Sequence, residues 1–155
     1  MCICSSIKAI QMKIPRFNNE KAIAVAAYLI SLQDKKTDKY WFAKVMYYIE
    51  RESLIRNGQP IFFDDLYSIP YGPIASSIND NMETCSYPTK TFWNEYFSLS
   101  NNTMTLLKDA DYSILSAFEK EIIENCFQKF KGWDFNKLHK FFSSLPEYKK
   151  TDGRI

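Results

Sequence analysis

Apolar residues recur at helical spacing along most of this chain, and the pattern breaks in two short stretches. Ala22, Val25, Ala26 and Leu29 share one face, the stripe of an amphipathic helix. Asn18 or Asn19 can cap that helix, which is predicted to run to about Gln33 before the polar run Asp34-Lys35-Lys36 ends it. Phe42, Val45, Met46 and Ile49 form a second stripe over about Asp38 to Asn57. Thr37 is its expected cap, Gly58 its left-handed stop, and Glu50, Arg51, Glu52 and Arg56 are expected on its wet face. Ser116-x-x-Glu119 is a capping box opening a helix to about Lys131, with Phe118, Ile122, Cys126 and Phe130 in register and Gly132 at its end. Asp134 caps a last helix that turns Phe135, Leu138, Phe142 and Leu145 inward and closes at Pro146.

The two breaks read differently. Gln59 to Phe63 is short, extended and apolar, and Asp64 or Asp65 can cap a single helical turn through Ile69. Pro70 and Gly72-Pro73 then force a corner, since each proline pushes its predecessor out of the α region. Pro73 also suits the first turn of a helix over roughly Ile74 to Thr84. In the second break, TFWNEYFSLS and MTLL flank Asn101-Asn102-Thr103, a hairpin pattern with asparagines in the turn. The fold expected is mainly α, a single compact helical domain with a small β-hairpin. Its expected divisions are an N-terminal extension over 1–16, the domain over 17–149 and a tail over 150–155, with the end from Lys149 frayed.

Length and charge narrow this little. A chain of 155 residues suits one domain with a real core, and 25% charged with 46% hydrophobic residues is an ordinary globular balance. The aromatic share of 16% is higher than any polar tail carries, and aromatics serve both cores and binding surfaces. A net charge of +2, with both signs interleaved, provides no nucleic-acid arm. Cys2, Cys4, Cys85 and Cys126 fit neither a disulfide framework nor a zinc site, and Cys126 sits on an apolar stripe as a small buried hydrophobe. The N-terminus is interrupted by Lys8 and Lys13 and lacks a signal-peptide pattern, Met12 is an alternative start, and no stretch is long enough for a membrane span. A cytoplasmic location with reduced thiols is expected.

Reactive chemistry is sparse. Nucleophilic catalysis through a Cys/His or Ser/His pair must use His139, the single histidine, which is expected on a helix surface beside Phe135 and Phe142. Adjacent Asp64 and Asp65 cannot both face one ion from a regular element, so capping is their expected role. There is no glycine-rich phosphate loop. Lys129, Lys131 and Lys137 are matched by Glu119, Glu121 and Glu124 as a solvated face. No catalytic, metal or cofactor residue is assigned, and a non-enzyme is expected. By contrast Tyr47, Tyr48, Phe62, Phe63, Tyr67 and Tyr71 gather around one corner, either as packing or as an exposed surface for a partner.

Three motifs carry a resemblance. Lys44-Val45-Met46-Tyr47-Tyr48, Gly58-Gln59-Pro60-Ile61-Phe62 and Tyr71-Gly72-Pro73-Ile74 resemble, in order and spacing, the K-L-L-Y-x-A, G-x-P-[IL]-F and Y-G-P-V motifs of the Panacea (SocA-like antitoxin) domain. Phe17 to Ala22 is similar to the family's F-x-x-E-K-A start, and Leu145-Pro146-Glu147-Tyr148-Lys149 to its L-P-E-W-K close. Ser143 and Ser144 stand where many members carry a histidine, Tyr148 where tryptophan is frequent, and Val45-Met46 for Leu-Leu.

The resemblance implies an antitoxin that neutralises a cognate protein toxin by direct contact. Some family members are adaptors presenting a toxin to a protease, and both chromosomal and phage genes encode such domains. The residues expected to bind the partner are Lys44, Tyr47, Tyr48, Arg51, Phe63, Tyr67, Tyr71, Gly72, Pro73 and Ile74, with Lys44, Arg51 or Arg56 at a polar rim. The rival expectations are an adaptor docking a protease through the Lys149–Ile155 tail, and a nucleic-acid-binding regulator using the Thr91–Leu107 hairpin as a wing. No cofactor and no membrane partner is expected, and the resemblance leaves the toxin's identity and the oligomeric state open.

Overall fold

Side-chain caps set where the helices begin. In the computed structural model, which describes residues 16–88, 91–149 and 153–155, Asn18 accepts the Lys21 N–H at 3.1 Å to start α1 (Asn19–Ser31). Asp38, not Thr37, caps α2 (Lys39–Asn57) by accepting the Trp41 N–H at 3.0 Å. Thr37 is instead buried in the strand β1 (Lys36–Asp38). Gly58 ends α2 at φ 73°, the left-handed region in which a glycine costs least.

After α2 the chain forms β2 (Leu66–Ile69) and β3 (Gly72–Ala75), then α3 (Ser76–Thr84) and α4 (Phe92–Tyr96). A hairpin of β4 (Phe97–Ser100) and β5 (Thr103–Leu106) follows, with Asn101 and Asn102 both at positive φ in its turn. A 3-10 turn at Tyr112–Ile114 leads to α5 (Ala117–Phe130), opened by the expected Ser116/Glu119 capping box, and to α6 (Phe135–Ser143), capped by Asp134. The last strand, β6, is Gly153–Arg154.

The fold is mostly α, about 53% helical, but its β content exceeds the single hairpin expected. Two three-stranded antiparallel sheets form, in the orders β1-β5-β4 and β3-β2-β6. The segment 66–69 is a strand rather than a helical turn, and Pro73 lies in an edge strand rather than a helix, a place where a missing N–H is tolerated. Phe92–Tyr96 is helical, so only Phe97–Ser100 enters the β4–β5 hairpin. Residues 153–154 pair with Tyr67 and Ser68, which the expected frayed end did not include. Cys2, Cys4 and Met12 lie outside the described residues.

The core is built around α2. Ten consecutive residues, Trp41 to Glu50, are buried, so this helix is enclosed on every face although its sequence is not apolar all round. Ala22, Val25, Ala26 and Leu29 of α1, Ile122, Cys126 and Phe130 of α5, and Leu138 and Phe142 of α6 close around it. Lys44 and Glu50 are both inside. Glu50 was expected in water and Phe135 inward; the structure reverses both, with Phe135 half exposed. The buried charges of α2 set the geometry of the neighbouring corner.

Candidate functional site

The β2–β3 connection is a two-residue turn. Ile69 pairs with Gly72, leaving Pro70 and Tyr71 at the tip. Gly72 takes φ +117°, a backbone region that L side chains rarely enter. Three side chains, two from α2 and one from the closing segment, hold the carbonyls of this hairpin. The Tyr40 hydroxyl donates to Tyr71 O at 3.0 Å, the Tyr148 hydroxyl donates to Ile69 O at 2.7 Å, and the Lys44 ammonium donates to Pro73 O at 2.8 Å. The Tyr71 side chain itself points outward, 66% exposed. The backbone of the tip is thus fixed, and its one large apolar group faces solvent.

Two carboxylates brace the segment that feeds the hairpin. Glu50 Oε1 accepts the N–H groups of Ile61 (2.6 Å) and Phe62 (3.1 Å), and Oε2 accepts that of Asp64 (2.9 Å). Asp64 accepts from Ser77 and Ile78, each at 2.9 Å. It thereby caps α3, whose own N-cap residue, Ala75, has no side chain able to do so. Phe63 lies between them at φ 56°. Burial pushes the Glu50 carboxyl up to about 7 against the pull of its three N–H donors, and burial likewise raises Asp64. Burial holds the Lys44 ammonium down at about 7.

The closing motif reaches the same place. The Tyr47 hydroxyl donates to Glu147 at 3.1 Å, and Arg51 forms an ion pair with the same carboxylate. Burial raises the Glu147 carboxyl, but the Arg51 bond and charge and the Tyr47 bond outweigh it and leave the group lowered. Tyr148, next in sequence, takes the hairpin tip as described.

Between α2, the hairpin and α6 lies a pocket of about 470 Å³. Lys44, Ala43, Ile69, Ile74 and Met82 form its inner walls, and Tyr71 and Phe135 stand at its mouth. Phe135 packs on Tyr40 with ring centroids 4.4 Å apart, and His139 stacks on Phe135 at 5.7 Å.

The residues expected from the sequence divide by depth. Tyr71 is exposed; Arg51, Phe63, Tyr67 and Ile74 are half-buried; Lys44, Tyr47, Tyr48, Gly72 and Pro73 are buried. Lys44 is therefore under the corner and not at its rim. Arg56 is exposed but sits 4.0 Å from Glu121 on α5, at the far end of α2. Tyr48 is packed edge-on against Phe130 at 4.9 Å. Tyr40, Phe135, Glu147 and Tyr148 belong to the site and were not expected there. Tyr40 stands one helical turn before Lys44, and Glu147 and Tyr148 lie in the closing motif, so a signal existed for three of the four.

Among the described residues no group of three or more His, Cys, Asp or Glu side chains is placed to hold a metal ion, and no helix is long and apolar enough to cross a membrane. A family model described as antitoxin SocA-like, Panacea domain matches residues 42–147, from the first turn of α2 to the glutamate that binds Arg51. No curated protein and no solved structure matches the chain.

Proposed function

The chain belongs to the SocA-like antitoxin, Panacea domain family, and on that premise we propose that it is the antitoxin of a toxin–antitoxin pair. It neutralises a cognate protein toxin by direct contact, in the cytoplasm, through a module spanning residues 17–149, and it makes or breaks no bond. The observation that carries this reading is the Tyr71 corner: an exposed aromatic on a hairpin tip whose flanking carbonyls are tied to Tyr40, Lys44 and Tyr148. A surface fixed before binding loses little conformational freedom on association, which favours affinity. Tyr71 and Phe135 supply the apolar anchors, Tyr67 and Ile74 extend them, and Lys44, Tyr47 and Gly72 hold the shape from below. A stable complex at this site should bury at least about 1,000 Å².

The test is co-expression with the product of the adjacent open reading frame. Restored growth together with co-purification of the two chains is the expected result. A toxic neighbour that this chain neither rescues nor binds would end the reading. The adaptor alternative is the less favoured, because Gly153 and Arg154, within the tail it would use, are paired to β2.

A further inference from the structure

Lys44 is 1% exposed, yet among the described residues its ammonium has only a neutral acceptor, Pro73 O at 2.8 Å. The Tyr40 ring lies 5.3 Å from the nitrogen. Among the described residues Lys44 forms no ion pair, although seven such pairs occur elsewhere. A buried cation held by one carbonyl is costly, and an ammonium has three donors to place.

The other charged groups of the pocket do not answer it. Asp38, at the start of α2, has its carboxylate on the Trp41 N–H as a helix cap. Lys39 is bridged to Glu83 of α3 at 2.5 Å. The hairpin contributes Tyr71 and α6 contributes Phe135; His139 stands behind Phe135, outside the pocket lining, with its Nδ1 3.5 Å from the Tyr40 hydroxyl. The charge left unmatched in the pocket is the positive one of Lys44. Ala43, Ile69, Ile74 and Met82 give the pocket apolar wall, with Asn79 and Asn102 also in its lining, so an incoming anion would be partly removed from water, where attraction between charges is stronger than at an open surface.

We propose that this pocket receives an acidic side chain of the partner protein, its carboxylate pairing with Lys44 while apolar residues beside it cover Tyr71 and Phe135. The identification of the partner as a protein toxin rests on the function proposed above; the carboxylate preference rests on the pocket alone. A carboxylate suits it because the site offers a donor cation that is not ion-paired, the one lining acid, Asp38, being engaged as the cap of α2. The apolar walls select an acid flanked by apolar residues over a small hydrated ion. Because burial lowers the Lys44 pKa to about 7, the side chain is largely the neutral amine at pH 8, and docking of the acid draws a proton onto it, so binding and proton uptake are coupled.

The experiment follows the Lys44 side chain by NMR in the full chain carrying lysine labelled with carbon-13 at Cε. The probes are N-acetyl-Leu-Glu-Leu-amide and the same peptide with Gln for Glu. The Glu peptide should raise the Lys44 titration midpoint by about one pH unit or more, a tenfold change in proton affinity, and the Gln peptide should not. No response, or equal responses to both, overturns the pocket proposal. A second arm measures toxin binding by calorimetry at pH 8 in buffers of different ionisation enthalpy. If the chain binds the toxin with no proton uptake, the pocket proposal falls and the antitoxin reading stands. If the Glu peptide shifts Lys44 but no toxin is bound or neutralised, the pocket's carboxylate preference stands and the antitoxin reading falls. Because both arms use the unsubstituted chain, misfolding of a Lys44 variant cannot blur the result.

Discussion

Gly72 and Lys44 are fitted to one another: a Cβ added at residue 72 would stand 2.8 Å from the lysine Nζ and 3.2 Å from its Cε. The hairpin can place Pro73 O over the ammonium only because residue 72 has no side chain. Gly72→Ala meets two penalties, the contact and the φ of +117°. It should lower unfolding free energy by about 2–3 kcal/mol, read as a fall in the urea midpoint. Adding Lys44→Met should relieve the contact but not the backbone strain, so the two changes should be non-additive in a double-mutant cycle.

Lys44→Met alone should alter the pH dependence of stability. The folded pKa of Lys44 lies below its ordinary value, so the unfolded chain binds more protons between pH 7 and pH 10 and stability rises with pH there. The contribution is present above the ordinary value and lost as pH falls toward 7. Denaturation at pH 7 and pH 9.5 should show the unsubstituted chain gaining roughly 3 kcal/mol relative to Lys44→Met.

Glu50 should slope the other way. Its folded pKa is raised to about 7, so its contribution to stability is fully present below the ordinary glutamate value and is lost as pH rises through 7. Glu50→Gln should flatten the stability curve between pH 4.5 and pH 7. It should also cost stability at pH 5, since the Ile61, Phe62 and Asp64 N–H groups lose part of their acceptor.

Asp64 and Asp65 should separate cleanly. Asp64→Ala removes the acceptor of Ser77 and Ile78 and should cost about 1–2 kcal/mol, like the loss of other helix caps. Asp65 makes an exposed pair with Arg154, and Asp65→Ala should change the thermal midpoint little.

At the proposed interface, Tyr71→Ala should weaken toxin binding by about 2 kcal/mol or more while leaving the melting temperature in place, because the ring is exposed in the free chain. Arg56→Ala, at the far end of α2, should leave affinity nearly unchanged. Equal losses for the two would move the interface away from the corner.

The sequence showed the local signals well. The Ser116/Glu119 box, the Asp134 cap, the Gly58 stop and the asparagine turn all stand where spacing put them. Long-range pairing was hidden. β1 is three residues and β6 two, too short for any alternating pattern, and each finds its partner far along the chain. Glu50 was placed in water because charge in a helix usually marks the wet face. Nothing local announced that Ile61, Phe62 and Asp64 would bring it their N–H groups. Tyr71 could be picked out as a candidate contact, but the depth of Lys44 and Tyr47 could not, since period alone cannot show that α2 is enclosed on all sides.

The buried charges of α2 divide the labour of this domain. Lys44 suspends the hairpin and Glu50 suspends the loop before it, while the exposed Tyr71 ring carries no part of that support. That outer ring is therefore free to be exchanged for another without disturbing the frame beneath it. If the proposed interface holds, a change of partner would need new residues at a few surface positions only, with the scaffold left as it is.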